Sequence, residues 1–401
     1  MQSLKEICSK LSLSSRAARN GFRLRSRSRI AAKLRPMRLD QLDYRLPAEQ
    51  IAQRPLDRRD ASRLLTLRCD TGELGDHLFA DLPALLRGDE LLVLNNTRVI
   101  PARLFGRRAG RHSQPPSKAT RSEHLTGRVE VLLTRQVEPG TWEALVRPGR
   151  KLPKSERVWF GEGELEAEII ARGQLGVRTL QFVSKDGRSV GEHIDRLGHI
   201  PLPPYIDRLD ESADRDRYQT VFAKNPGAIA APTAGLHFTP EILARIQQRG
   251  AEICEITLEV GLGTFQPIHA EALENHAMHA ESYEIPEETA ERIRTARAAG
   301  RPILAIGTTV VRALEAAALQ ASESGSPRHL LAGKAEARLF VFPGFRFRIV
   351  DALLTNFHLP RSTLLALVCA LAGRDRVLAA YNHAVEARYR FYSYGDCMLI
   401  R

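Results

Sequence analysis

At 401 residues the chain is long enough to bury a large core and to divide into two or three domains. Its longest uninterrupted apolar run, Leu364 to Ala372, is nine residues, too short for a helix to cross a bilayer. Its five cysteines (Cys8, Cys69, Cys254, Cys369, Cys397) contain no C-x-x-C pair, which argues against a disulfide framework or a zinc knuckle and for a reducing cytoplasm. The net charge of +12 is unevenly spread. Residues 1–36 carry +9 and Arg107 to Arg128 carry +5, so the rest stands at −2 and any RNA-binding surface has to be a local patch.

In chain order, residues 1–36 are rich in Arg and Ser, almost free of acid, and lack the apolar stretch of a secretory signal. They read as disordered in each of three senses: a translated stretch ahead of a start at Met37, an RNA-contacting arm, or a targeting segment. From Arg38 to about Val99 short apolar stretches alternate with turns and end in a buried strand at 90–94, followed by the polar tetrad Asn95-Asn96-Thr97-Arg98. Between Ala102 and Phe182 the texture changes to short β-like runs at 103–106, 129–134, 141–146, 156–160, 165–171 and 177–182. Separated by Gly and Pro turns, they predict a small antiparallel barrel. The Pro/Ser/Arg segment 110–126 is too polar to pack and reads as an elongated hairpin loop.

After about Arg196, strands alternate with well-marked helices. Thr239 caps a helix that starts at Pro240 and is stopped by Gly250. Residues 286–299 repeat the plan, with Glu287 and Glu288 first, Arg294 and Arg297 late, and Gly300 after them. A strand at 303–306 runs through Gly307-Thr308-Thr309, with Thr308 as N-cap, into a helix at 310–319; another helix starts near Ser362 and ends at Gly373. The fold class is α/β: a mixed α/β domain of residues 37–100 and 196–401, interrupted by an inserted small antiparallel β-barrel at 101–195.

Polar residues gather at strand ends, where α/β sheets bind ligands. The turn Ala231-Pro232-Thr233-Ala234-Gly235-Leu236-His237-Phe238 offers a histidine, which core packing explains equally well. Gly261-Leu262-Gly263-Thr264-Phe265 closes a strand whose alternation places Glu259 on the polar face; without G-x-G-x-x-G and a following helix it does not make a dinucleotide site. Gly307-Thr308-Thr309 serves as a helix start and offers free amides for an anion. Thr355-Asn356-Phe357-His358-Leu359-Pro360 carries a second histidine, again open to a packing role. His276, His279 and Glu281 lack a further ligand at useful spacing, so no metal is expected. The run Tyr389-Arg390-Phe391-Tyr392-Ser393-Tyr394-Gly395-Asp396 suits base stacking or a final edge strand.

Taken together and in order, these segments resemble the S-adenosylmethionine (AdoMet):tRNA ribosyltransferase-isomerase family over Met37 to Ile400. Further matches are Asp43-Tyr44, Ser62-Arg63-Leu64-Leu65, Asn95 through Leu104, and Gly198-His199-Ile200-Pro201-Leu202-Pro203-Pro204-Tyr205-Ile206. The resemblance implies transfer and isomerisation of the AdoMet ribosyl group onto 7-aminomethyl-7-deazaguanine at the wobble position of tRNAs with a GUN anticodon. The products are epoxyqueuosine-tRNA, adenine and methionine. AdoMet is a co-substrate, and no cofactor or metal is implied.

The methylene beside the sulfonium is acidified by the positive sulfur, so one positioned base can start ring opening and loss of adenine. The candidates are His237, Glu259, His358 and Asp396. AdoMet contacts are expected from Thr233, Gly235, Phe238, Gly261, Gly263, Thr264, Phe265, Gly307, Thr308, Thr309, Asn356, Phe357 and Tyr394. Stacking on the extruded base is assigned to Phe238, Phe265, Phe357 or Tyr394, and phosphate contacts to Arg63, Arg98 and Arg103. In the family a His commonly precedes the Val-Gly pair at which this chain has Glu259; the 110–126 loop is longer than usual, and residues 1–36 have no counterpart. An AdoMet-dependent RNA methyltransferase and a non-catalytic RNA-binding barrel are the alternatives. The expected assembly is a monomer in the cytoplasm.

Overall fold

The computed structural model describes residues 38–109, 127–173, 176–261, 278, 280–326 and 329–401. The expectations for residues 1–36, for the 110–126 loop, and for Gly263, Thr264, Phe265, His276 and His279 lie outside the described residues.

A nine-stranded mixed sheet forms the body. Its strands are β1 (Arg63–Leu67), β2 (Leu74–Leu78), β3 (Leu91–Asn95), then β12 (Glu252–Leu258), β13 (Glu281–Ile285), β14 (Ile303–Ile306), β15 (Gly333–Ala337), β16 (Ala352–Asn356) and β17 (Cys397–Ile400). The order is β15-β13-β12-β3-β14-β16-β17-β1-β2. The central strands β12, β3, β14 and β16 run parallel, so their carboxyl ends share one edge; β17 and β1 run the other way and bring their amino ends to that edge.

Strand alternation explains the layering. Leu91 and Val93 on β3, Ile303 and Ala305 on β14, and Leu353 on β16 face one core. Leu92 and Leu94, Leu304 and Ile306, and Leu354 face the other. A strand buried on both faces is apolar throughout, as parallel central strands are. The first core is covered by helices α3 (Glu287–Ala298), α4 (Thr308–Glu323), α5 (Thr363–Ala372) and α6 (Arg374–Glu386), numbered after α1 (Val190–Leu197) and α2 (Pro240–Gln248); α2 packs Ile242 and Ile246 into the second. Glu315 of α4 is wholly buried and accepts the backbone amides of Arg348, Ile349 and Val350 at 2.8–2.9 Å, pinning that loop to the helix.

Between β3 and β12 the chain leaves the sheet. A two-stranded parallel ribbon pairs β4 (Thr97–Val99) with β11 (Asn225–Ala228). Six antiparallel strands then close a barrel in the order β10-β7-β6-β5-β8-β9: β5 (Arg103–Arg108), β6 (Arg128–Glu138), β7 (Thr141–Arg147), β8 (Arg157–Phe160), β9 (Leu165–Arg172) and β10 (Val177–Ser184). Period-two burial of Val129, Val131 and Leu133, and of Leu180 and Phe182, fills its interior. Ser189 caps α1 by accepting the amide of Glu192 at 3.2 Å.

The predicted α/β layer interrupted by a barrel is present, with three local differences. The helix after Ile306 begins at Thr308, not Val310, because Gly307 takes φ +98° and is itself the N-cap; Thr308 is not the cap. The aromatic run from Tyr389 is a connection, and the strand after it, β17, lies inside the sheet between β16 and β1 rather than at its edge. Finally, α6 follows α5 directly across Gly373 at φ +86°.

Candidate active site

A cleft of about 680 Å³, open to solvent, lies at the carboxyl edge of the parallel strands. Three predicted turns meet there. Thr233 comes from the turn after the ribbon, Gly307, Thr308 and Thr309 from the β14–α4 junction, and Asn356, Phe357 and His358 from the end of β16. Tyr205, Tyr392 and Ser393 complete one wall.

Each side chain is held from behind. Asn95, buried at the end of β3, clamps the neighbouring strand end: its amide donates to the Leu258 carbonyl at 3.0 Å and to Thr309 Oγ1 at 3.4 Å, and its Oδ1 accepts the Leu258 amide at 3.0 Å. The α4 N-terminus therefore enters the cleft on a rigid support, and its first amides have no intrahelical acceptor. Tyr205 stacks obliquely on Tyr392, with ring centroids 4.6 Å apart, and shares a 2.6 Å hydrogen bond with Ser393. Tyr392 has φ +71°, an unusual conformation for a bulky residue, and its carbonyl receives the Asn356 amide at 3.0 Å.

The two histidines are placed differently. His358 is 8% exposed. Its Nε2 lies 2.7 Å from Thr355 Oγ1, whose own proton points to the Asn356 carbonyl at 3.3 Å. With the Thr355 proton on that carbonyl, Nε2 carries the hydrogen and Nδ1 keeps a lone pair; Nδ1 has no hydrogen-bond partner among the described residues. The His358 backbone is fixed as well, its carbonyl accepting Tyr44 Oη at 2.5 Å and its amide donating to Tyr381 Oη at 3.0 Å. Burial lowers the imidazole to about 3, so it is neutral at physiological pH.

His237 has both nitrogens occupied. Asn356 Nδ2 donates to Nε2 at 3.3 Å, and Nδ1 faces Ser62 Oγ at 2.8 Å, while Ser62 donates to the Arg59 carbonyl at 3.2 Å. Burial first, and the nearby Arg59 and Arg390 charges further, bring His237 down to about 4. Its ring lies behind Asn356 and lines a second, smaller cleft. The shared Nδ2 fixes the Asn356 amide, whose Oδ1 is buried and has no partner among the described residues. A buried acceptor left open costs about 1–3 kcal/mol, and a ligand N–H or O–H in the cleft would relieve it.

Other candidates are placed elsewhere. Asp396 does not reach the cleft; its carboxylate accepts the amides of Arg63 and Arg390, both at 2.8 Å, and closes the turn before β17. Glu259 is exposed beside Gly227, its carboxyl raised by partial burial, and it does not line the cleft. Gly235 is required by packing, since a Cβ there would sit 2.6 Å from Phe222 and 2.8 Å from Thr220. Gly261 donates its amide to Glu281 at 3.4 Å, and Glu281 is committed to a buried ion pair with Arg312.

Phe238 is enclosed between Phe79 and Phe222 and offers no face for stacking. Phe357 contributes to the cleft wall, but its ring packs among Tyr381, Tyr389 and Phe391. Tyr394 lines the second cleft and donates to Asp214 at 2.6 Å. Arg63 is bound to Ala387 and Asp76 and lies 3.7 Å over the Tyr389 ring; Arg103 is buried against Glu130 and the Leu202 carbonyl. Of the three predicted phosphate ligands only Arg98 presents an exposed side chain.

Tyr205 and Thr355 stand in the matched segments with no chemical signal of their own, whereas Tyr392 and Ser393 belong to the aromatic run that suits base stacking. Among the described residues no group of three metal-ligating side chains comes together, and no helix is long and apolar enough to cross a membrane.

The model of the family described as "Queuosine biosynthesis protein" matches residues 39–400. The S-adenosylmethionine:tRNA ribosyltransferase-isomerase of Solibacter usitatus is 52% identical over 368 residues, covering 91% of this chain and all of that one. The protein of the same name from Halothermothrix orenii is 46% identical over 364 residues, with the same coverage. The crystal structure of S-adenosylmethionine tRNA ribosyltransferase from Thermotoga maritima aligns at 35% identity over 90% of this chain and all of its own, with a TM-score of 0.47. Strand-end turns that converge on one cleft are thus found in a chain matched almost end to end, and the chain belongs to the queuosine biosynthesis family, that of the S-adenosylmethionine:tRNA ribosyltransferase-isomerases.

Proposed function

We propose that this protein transfers and isomerises the ribosyl group of AdoMet onto 7-aminomethyl-7-deazaguanine at the wobble position of tRNAs with a GUN anticodon, releasing adenine and methionine. It would act as a cytoplasmic monomer, with residues 37–100 and 196–401 as its catalytic unit and 101–195 as the inserted barrel. Family membership supports the reaction class. The observation that carries the site is the neutral His358 ring, engaged through Nε2 alone among the described residues, in a cleft shared with a helix N-terminus.

In this reading His358 Nδ1 takes the proton from the methylene beside the sulfonium. The α4 N-terminus at Thr308 and Thr309 holds the methionine carboxylate. Asn356 Oδ1 accepts a donor from the nucleoside, and Tyr205 supplies an aromatic face for the sulfonium or the extruded base. His237 is a positioning residue that sets the Asn356 amide. The test is incubation of the full chain with AdoMet and tRNA bearing the aminomethyl base, with small products read by mass spectrometry. Free adenine and methionine are expected; S-adenosylhomocysteine would mean methyl transfer, and no AdoMet-derived product would sink the enzymatic reading.

A further inference from the structure

We propose that the second cleft, of about 270 Å³ and lined by Arg58, Arg59, Arg217, Ser62, His237 and Ser393, is a phosphate subsite that takes an RNA backbone phosphate beside the nucleotide whose base enters the main cleft. The inference rests on the proposed RNA substrate and adds to it a place for the chain's backbone.

The first support is charge. Arg59 donates to three carbonyls, those of Gln219, Leu236 and Asp216, and Arg217 donates to those of Asp57 and Leu56. Among the described residues neither has a carboxylate in ion-pair range, and Arg217 Nε is buried there without a hydrogen-bond partner. Arg390, whose charge is felt at His237, donates to the Arg54 carbonyl and also lacks a carboxylate in ion-pair range, although its backbone amide is held by Asp396. Carbonyl dipoles orient guanidinium groups without neutralising them. Burial, and then the neighbouring Arg217, hold Arg59 below its ordinary value against the opposing pull of Asp216. Arg58 adds a charge at the rim, its side chain 77% exposed and shared with Asp60 at 2.9 Å.

The second support is position. The two clefts share Ser393, and the wall between them contains the His237–Asn356 hydrogen bond. An anion there lies one side chain away from the main cleft, as a phosphate does from its own base. Phosphate contacts of this kind fix register rather than read sequence. The competing occupant is the AdoMet carboxylate, for which the main cleft already offers the α4 terminus.

The experiment uses the full chain, with a GUN-anticodon tRNA transcript as probe in filter binding across a salt series, and AdoMet binding followed by calorimetry. Arg58→Glu reverses an exposed charge and leaves the carbonyl contacts of Arg59 and Arg217 intact; Arg217→Gln removes an inner charge, and Arg338→Ala, on an exposed side chain directly after β15 at the sheet edge opposite β1 and β2, is the control. Arg58→Glu should weaken tRNA binding by about fivefold or more and lower the salt slope by about one, with AdoMet affinity held within about twofold. If Arg58→Glu and Arg217→Gln both bind tRNA like the control, the inference is overturned. It is equally overturned if AdoMet binding falls while tRNA binding holds, because the cleft then takes a carboxylate. Adenine release by the unsubstituted protein separates failure of this subsite from failure of the proposed reaction.

Discussion

Acidification from pH about 7.5 to about 5 should destabilise this protein by about 4 kcal/mol through two histidines alone. His237 and His358 are lowered by burial to about 4 and about 3 from an ordinary 6.5. Between those values and 6.5 the unfolded chain binds protons that the folded chain refuses. Their contribution is therefore complete above pH 6.5 and is lost as the pH falls toward the folded values. At pH about 5 each group lies roughly 1.5 units below its unfolded titration, worth about 2 kcal/mol at 1.36 kcal/mol per unit.

The measurement is denaturant unfolding of the full chain at both pH values, for the parent and for His237→Gln and His358→Gln. Each variant should be less stable at neutral pH, where it loses a buried hydrogen bond. Its drop between the two pH values should nevertheless be smaller than the parent's by about 2 kcal/mol. Carboxylates also titrate in this window, but they are common to all three proteins and cancel in the comparison. Variants that lose as much stability as the parent would refute the buried, neutral assignment. The same assignment places the acid limb of adenine release below pH about 5 rather than near the free-imidazole value.

Four further outcomes follow from the geometry. His358→Gln should lower kcat for adenine release by about 10²-fold or more, whereas His237→Gln should act mainly on KM, since it touches Asn356 and not the cleft. Arg98→Ala should weaken tRNA binding and reduce its salt slope while sparing AdoMet affinity; Arg103→Ala should instead lower the unfolding midpoint, because Arg103 is buried against Glu130. Glu315→Ala should destabilise by about 3 kcal/mol or more in urea unfolding, since three backbone amides lose their acceptor. Arg312→Met should cost about 3–5 kcal/mol by taking from the buried Glu281 carboxylate its ion-pair partner Arg312, an effect that Glu281→Gln in the same chain should partly reverse.

The sequence by itself determined the elements and their order. Periodicity, glycine turns and caps are local properties, so all six barrel strands, the Thr239 and Ser362 helix starts and the β14 strand could be read from short windows. The ordered turns also sufficed to place the chain in its family. Only the tertiary structure decided which polar side chains are free to act, because that depends on partners that local pattern does not reveal, from three residues away to more than three hundred. Asp396 is spent on the amides of Arg63 and Arg390, and Arg63 on Ala387 and Asp76. His237 and His358 look alike in sequence, yet Ser62 and Asn356 occupy both nitrogens of one while Thr355 leaves the other's Nδ1 open. The reversed direction of β1 and β17 against the parallel strands brings Ser62 to the wall of the second cleft, and strand direction is a property of the whole sheet that no local window contains.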